Sequence, residues 1–176
     1  MRHAKSDWND SSLADKDRPL NARGRAAAPL LANWIITHHH LPDLVLCSTA
    51  IRTQQTLELL TQQWTLLQAE NPKLVLPHVL LDDRLYLASD TTILAIAKDG
   101  ANTHDSCQCV MVLGHNPGME VLASKLSGKP VSMPTGAIAI LASDSNDGEW
   151  PTDWVNEKMW KWRGLVKSRE LGSETI

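Results

Sequence analysis

The sequence is poor in several features that would place it in special classes of protein. It has no phenylalanine and only three cysteines among 176 residues. Three cysteines are few for a disulfide scaffold, and an odd number cannot all be paired. No apolar run approaches the roughly 20 residues that a membrane-spanning helix needs. The first ten residues, MRHAKSDWND, lack the apolar core of a secretory signal. These absences predict a cytoplasmic protein that does not act at a membrane.

Excess charge of one sign is also missing. The formal net charge is -3, with 21% charged and 43% hydrophobic residues. A nucleic-acid-binding protein normally carries a basic patch and a basic overall balance, so no nucleic-acid partner is expected. The composition is that of an ordinary globular protein. The length fits a single domain over residues 1–176, in which folding buries roughly 70% of the surface of the unfolded chain.

Apolar runs that alternate with helical patterns predict the fold. Pro77 weakens the strand pattern of residues 73–80, which predicts an edge strand or an extended connection there. Strands alternating with helices indicate an α/β three-layer sandwich, in which helices flank a mostly parallel central sheet. The predicted strands are residues 43–48, 109–113, 137–142 and 159–166. The predicted helices are residues 22–37 after an Asn21 N-cap, 49–69 after a Ser48 N-cap, 90–98, and 117–128 after an Asn116 N-cap.

Two predicted strand ends carry basic side chains. Arg52 falls in the first turn of the helix that follows residues 43–48, and His115 lies just before a helix that follows residues 109–113. Ligands of open α/β sheets bind at the carboxyl ends of the strands, and helix N-termini favour anions. A phosphate pocket is one interpretation. A solvated Arg52 and a structural loop histidine fit the positions equally well.

A series of motifs, kept in order along nearly the whole chain, favours the pocket. The motifs are Arg2-His3-Ala4-Lys5-Ser6, Asp17-Arg18-Pro19-Leu20-Asn21 with Arg23-Gly24, Leu46 to Thr56 (LCSTAIRTQQT), Arg84-Leu85-Tyr86, and Leu113-Gly114-His115-Asn116-Pro117-Gly118. Together they resemble the histidine phosphatase superfamily, the phosphoglycerate-mutase-like enzymes. The similarity is greatest to its small SixA-like branch, the phosphohistidine phosphatases.

The resemblance implies covalent catalysis without a cofactor or a metal. His3 would attack phosphorus and form a phosphohistidine intermediate that water hydrolyses. Arg2 and Arg52 would clamp the phosphoryl group, because the guanidinium fork donates bidentately to phosphate oxygens. His115 would stabilise charge on the equatorial oxygens. The residues expected to bind substrate are Arg2, Arg52, His115, Ser6 and Asn116. The expected partner is a phosphorylated protein or a small phosphorylated compound.

The sequence departs from the family pattern in two places. An apolar central strand normally precedes the Arg-His pair, but only Met1 does so here, which predicts a missing or truncated first strand, or a true start upstream of Met1. In relatives a glutamate often follows the Leu-Tyr pair, where this chain has Leu87. Asp82 and Asp83 are nearby carboxylates, but a solvated turn explains them equally well.

Three alternatives to this reading remain open. The chain could be a phosphomonoesterase for small metabolites, or a phospho-ligand-binding module that has lost turnover. His38-His39-His40 could bind a metal, but consecutive histidines do not share a helix face, and their place at a predicted helix C-terminus explains them without a ligand.

The tryptophans at 150, 154, 160 and 162 are expected to pack in the core or to cover a sheet edge.

Overall fold

The computed structural model describes residues 1–104, 106–144 and 149–171. Its helices are α1 (Ala22–Thr37), α2 (Ile51–Glu70), α3 (Asp90–Thr103), α4 (Gly118–Ser127) and α5 (Ser168–Leu171). Its strands are β1 (Leu44–Ser48), β2 (His78–Asp82), β3 (Val110–Leu113), β4 (Ala137–Ser143) and β5 (Trp160–Lys167). Short 3-10 turns span Asp15–Asp17, Asp83–Leu85 and Glu157–Met159. Among the described residues, no helix is both long enough and apolar enough to cross a membrane.

The strands form two sheets flanked by helices, which confirms the predicted α/β class. In the first sheet β1 lies between β2 and β3, and both pairings are parallel. β2 is an edge strand, as Pro77 predicts. In the second sheet β4 and β5 pair antiparallel. All five residues of β1 are buried, which is typical of a central strand covered by helices on both faces.

The first three residues join the two sheets. Arg2 forms a parallel bridge with Gly114 at the end of β3, and its backbone N–H donates to the carbonyl of Ala137 at the start of β4, 2.9 Å away. The N–H of His3 donates to the Gly114 carbonyl at 3.1 Å. Residues 1–3 are therefore extended between β3 and β4, where the central strand is expected from the sequence.

An apolar cavity of about 450 Å³ lies beyond Met1, between β3 and β4. It is lined by residues of both strands and by four tryptophans, Trp34, Trp150, Trp154 and Trp160. The Met1 amino group donates to the Val112 carbonyl at 2.7 Å, and burial lowers the pKa of this amino group to about 5. The cavity thus lies next to Met1, between β3 and β4.

Two of the predicted helix caps are wrong, and one is confirmed. The Asn21 side chain accepts a hydrogen bond from the Gly24 N–H at 3.0 Å and caps α1 as predicted. Ala50, not Ser48, occupies the N-cap of α2, because the Ser48 hydroxyl is bonded to His115. Pro117, not Asn116, precedes α4, because the Asn116 amide group donates to Glu120 and to the Met133 carbonyl.

Candidate active site

The structure gathers four of the predicted site residues at the carboxyl ends of β1 and β3. His3 follows the bridge formed by Arg2, Arg52 lies in the first turn of α2, and His115 lies between β3 and α4. The ring centroids of His3 and His115 are 5.2 Å apart. Arg2 and Arg52 are both close enough to lower the pKa of each histidine. The site lies where an open α/β sheet normally binds its ligand.

Burial and hydrogen bonding prepare His3 as a nucleophile. Its Nδ1 lies 2.7 Å from the Ala4 carbonyl oxygen, and because a carbonyl only accepts, Nδ1 carries the proton. The Nε2 lone pair is therefore free. Burial is the largest effect and lowers the pKa of His3 to about 4. The hydrogen bond to Ala4 acts to raise this pKa, the charges of Arg52 and Arg2 act to lower it, and Asp15 acts to raise it. The ring is neutral at pH 7.

His115 is held by a serine that the sequence assigned to a helix cap. Its Nε2 lies 2.8 Å from the Ser48 hydroxyl oxygen, and both residues are buried. When Ser48 donates to Nε2, the proton of neutral His115 resides on Nδ1, which is buried and has no partner in the described structure. Burial, followed by the charge of Arg52, lowers the pKa of His115 to about 3. A neutral Nδ1–H is thus available to an acceptor such as a phosphoryl oxygen.

The two predicted clamp arginines are held by different partners. Arg2 donates from Nη1 to the Met133 carbonyl at 2.8 Å, and its Nε is buried without a partner in the described residues. Arg52 is almost fully buried, and its Nη2 lies 2.8 Å from Asp15 Oδ2. A guanidinium has five N–H donors in a fixed plane. Both arginines therefore retain donors for an anion.

The other two predicted substrate-binding residues are partly occupied. The Ser6 hydroxyl accepts the indole N–H of Trp8 at 3.2 Å. The Asn116 amide nitrogen donates to Glu120 Oε2 and to the Met133 carbonyl, at 3.2 and 3.1 Å, so its nitrogen is used to hold the loop before β4. Its Oδ1 is buried and makes no bond within the described structure. Their roles in substrate binding stay predictions.

Sequence reasoning missed Asp15 and Tyr86. The Tyr86 hydroxyl donates to Asp15 Oδ2 at 2.8 Å, and the Tyr86 ring meets the His115 ring edge-on with a centroid distance of 5.5 Å. Asp15 lies 37 residues from Arg52 in a polar segment without periodicity, so spacing gave no signal. The available clue was the predicted pocket itself, because an arginine buried there, such as Arg52, needs an anionic partner.

Asp82 ends β2 and Asp83 begins the 3-10 turn that follows it, and both make ion pairs. Asp82 accepts from the backbone and guanidinium of Arg84, while Asp83 is paired with Lys16 and accepts the Thr49 hydroxyl. These partners lower the pKa of both carboxyl groups. Both are carboxylates at neutral pH, which is unsuited to delivering a proton to a leaving group.

Comparisons with known proteins identify a family and two similar relatives. Residues 1–75 match the family model of the histidine phosphatase superfamily (branch 1). A chloroplastic protein of Arabidopsis thaliana is 32% identical over 168 residues, covering 94% of this chain and 75% of the relative. A protein of Mycobacterium tuberculosis is 33% identical over 158 residues, covering 80% of this chain and 85% of the relative.

Solved structures place the whole chain in the same fold. A candidate phosphohistidine phosphatase SixA from Agrobacterium tumefaciens is 27% identical with a TM-score of 0.71, covering 94% of each chain. The protein histidine phosphatase SixA complexed with tungstate has a TM-score of 0.73 at 23% identity, covering 97% of this chain and 96% of that one, and shows the fold alone. The chain belongs to the histidine phosphatase superfamily, in its SixA-like branch. These matches support a phosphatase. The predicted cytoplasmic location stays a prediction, since the Arabidopsis relative is chloroplastic.

Proposed function

We propose that this chain is a metal-independent phosphatase that forms a covalent intermediate on His3. The observation that carries the proposal is the state of His3, whose Nδ1 is bonded to the Ala4 carbonyl and whose pKa of about 4 keeps Nε2 unprotonated at neutral pH. A neutral imidazole with a free lone pair is a competent nucleophile. Its neighbours are two arginines and a second neutral histidine, which is the charge pattern that a phosphoryl group requires.

The reaction proceeds in two displacements. In the first, the Nε2 lone pair of His3 forms a bond to phosphorus, and the bond between phosphorus and the leaving group breaks with its electron pair remaining on the leaving atom. In the second, water attacks the phosphohistidine and returns His3 to its neutral state, releasing inorganic phosphate. Arg2, Arg52 and the Nδ1–H of His115 stabilise the charge on the three transferring oxygens during both steps.

The preferred substrate is a phosphorylated histidine on a protein, or another small phosphoramidate. An alkyl phosphate needs a positioned acid, which typically contributes 10²- to 10⁴-fold. Asp82 and Asp83 are carboxylates tied to surface cations, and Leu87 stands where relatives often carry a glutamate. Imidazole is a good leaving group once its second nitrogen is protonated, so an N–P bond suits this site better than an alkyl ester.

Turnover of two substrates tests the proposal. We expect hydrolysis of phosphohistidine and of p-nitrophenyl phosphate, slow turnover of an alkyl phosphate, and loss of both activities in His3→Ala. The matched control is His78→Ala, which removes an exposed histidine from the edge strand β2 and should leave the rates unchanged. An active His3→Ala variant would contradict the mechanism. Rapid turnover of alkyl phosphates would favour a phosphomonoesterase for small metabolites, and phosphate binding without turnover would favour a binding module.

A further inference from the structure

A carboxylate from outside the family motifs reaches the phosphate pocket. Asp15 lies on the 3-10 turn Asp15–Asp17. Its Oδ2 accepts bonds from Arg52 Nη2 and from the Tyr86 hydroxyl, each at 2.8 Å, and its backbone carbonyl accepts a second bond from Arg52. Its negative charge acts to raise the pKa of both His3 and His115. Asp15 therefore lies within electrostatic reach of the reacting groups.

Asp15 is ionised at neutral pH. Desolvation acts to raise the pKa of its carboxyl group, but the hydrogen bonds from Tyr86 and Arg52, with the charges of Arg52 and Arg18, outweigh it and hold the pKa below its usual value. An ionised carboxylate cannot supply a proton to a leaving group. It can accept a hydrogen bond from a leaving group that already carries a proton.

The two oxygens of Asp15 differ in what they already bind. Oδ2 accepts hydrogen bonds from Arg52 and Tyr86. Oδ1 instead faces Arg18 Nε at 3.9 Å, which is beyond hydrogen-bond distance. The Asp15 side chain is 41% exposed, and the Arg52 side chain beneath it is 5% exposed. Oδ1 thus has capacity to accept a further hydrogen bond, and it belongs to a side chain that is more exposed than the Arg52 side chain that Asp15 holds.

In an in-line attack the leaving group lies opposite the attacking nitrogen of His3. Because His3 is buried, we expect the leaving group to point toward solvent, where the Asp15 side chain is exposed. We propose that Asp15 Oδ1 accepts a hydrogen bond from the protonated second nitrogen of a departing imidazole, and so selects N–P substrates over phosphate esters. This inference rests on the proposed function and specifies its leaving-group site.

The step balances without any further proton donor. The substrate ring is protonated on the nitrogen that does not carry phosphorus, and that N–H points at Asp15. When His3 Nε2 bonds to phosphorus, the P–N bond of the substrate breaks, and its electron pair stays on the departing nitrogen. The ring leaves as neutral imidazole, and the positive charge passes to the phosphorylated His3 ring. An ester instead leaves as an alkoxide or phenolate, which the Asp15 carboxylate repels.

Asp15→Asn tests the inference with Asp17→Asn as its matched control. Both remove one negative charge from the same turn, but Asp17 is exposed, and asparagine at position 15 retains an oxygen for Arg52 and Tyr86. We expect the ratio of kcat/KM for phosphohistidine to kcat/KM for p-nitrophenyl phosphate to fall at least tenfold in Asp15→Asn and to stay unchanged in Asp17→Asn. An unchanged ratio in Asp15→Asn would overturn the inference.

Inhibition by inorganic phosphate separates leaving-group binding from a role in holding Arg52. Phosphate has no leaving group, so its inhibition constant should be nearly the same in Asp15→Asn as in the unaltered chain. A parallel loss of phosphate affinity and of both activities would show that Asp15 acts only through Arg52, and would also overturn the inference. Failure of the unaltered chain to hydrolyse phosphohistidine would refute the proposed function itself, whatever the variants do.

Discussion

Filling the gap in the sheet should stabilise the protein. The change is a five-residue extension, rich in valine and isoleucine, attached directly before Met1. Residues 1–3 already pair with the ends of β3 and β4, and the cavity beyond them is apolar. The Val112 carbonyl faces Met1 and accepts a hydrogen bond from it. Because backbone groups alternate in direction along a strand, the N–H and C=O of Val110 face the same side of β3 as those of Val112. An extended segment would find partners on both sides.

The size of the effect follows from three favourable contributions and one that opposes them. The Met1 amino group has a pKa of about 5 instead of 8.0, so keeping it neutral at pH 7 costs about 1.4 kcal/mol, and an extension removes this cost. Burying three branched side chains contributes about 6 kcal/mol, and new strand hydrogen bonds contribute about 5 kcal/mol. Ordering five residues opposes these by about 8 kcal/mol. The net gain is about 4 kcal/mol, which raises the Tm by roughly 8–16 °C.

Thermal unfolding followed by circular dichroism measures this gain. The matched control is a glycine-serine extension of equal length, which removes the buried amine but does not fill the cavity, so it should gain only about 1.4 kcal/mol, or roughly 3–6 °C. We also expect the apolar extension to raise turnover, because it anchors the segment that carries His3. Equal Tm values for the two extensions would refute the reasoning.

Three further predictions concern the site and its support. Arg52→Lys keeps the positive charge but loses the two parallel N–H donors of the guanidinium, so kcat/KM for p-nitrophenyl phosphate should fall at least tenfold, about 1.4 kcal/mol. His115→Ala should lower the same kcat/KM on the order of a hundredfold. The free energy of unfolding should fall as the pH drops from 6.5 toward 4. His3 and His115 have pKa values of about 4 and about 3 in the folded chain and about 6.5 when unfolded, so only the unfolded chain takes up protons in this range. Denaturant titrations should show a loss of about 1.4 kcal/mol per pH unit for each histidine. Gly24→Ala should lower both Tm and activity, since a Cβ at Gly24 would lie 2.2 Å from the carbonyl oxygen of Lys5, two residues after His3.

Each of these predictions has a result that contradicts it. Wild-type rates in both Arg52→Lys and His115→Ala would place the pocket elsewhere. A free energy of unfolding that is constant from pH 6.5 to 4, or that rises on acidification, would show that the two histidines are not kept neutral by burial. A Gly24→Ala variant with unchanged Tm would mean that the backbone at Lys5 moves aside freely.

The sequence predicted those features that depend on short-range patterns. Asn21 caps α1 because its side chain and the Gly24 N–H are three residues apart, which is a spacing visible in the sequence. Trp154 is buried in a core cluster, and Trp150 and Trp160 pack against that cluster, which agrees with the expected packing of these three tryptophans in the core. Both the helix cap and the contacts among the tryptophans depend on residues that are near one another in the sequence.

Contacts between distant segments could not be predicted in this way. Ser48 has the side chain of a helix cap, but the bond to His115, 67 residues away, takes its hydroxyl. Asp15 reaches Arg52 and Tyr86 across 37 and 71 residues. Such pairs depend on how the sheet brings loops together. The family motifs identified His3 and His115, but the resemblance could not show which polar groups hold them.

The central claim is that Nε2 of His3 carries the phosphoryl group, and the position of the phosphate in the trapped intermediate tests it most directly. The protein is mixed with a phosphoramidate, quenched in alkali to preserve N–P bonds, and analysed by mass spectrometry and by phosphorus NMR. Since Nδ1 donates to the Ala4 carbonyl, we expect phosphate on Nε2 of His3, and none in His3→Ala. A phosphate on Nδ1 of His3, on His115, or on any residue of an active His3→Ala variant would contradict the account.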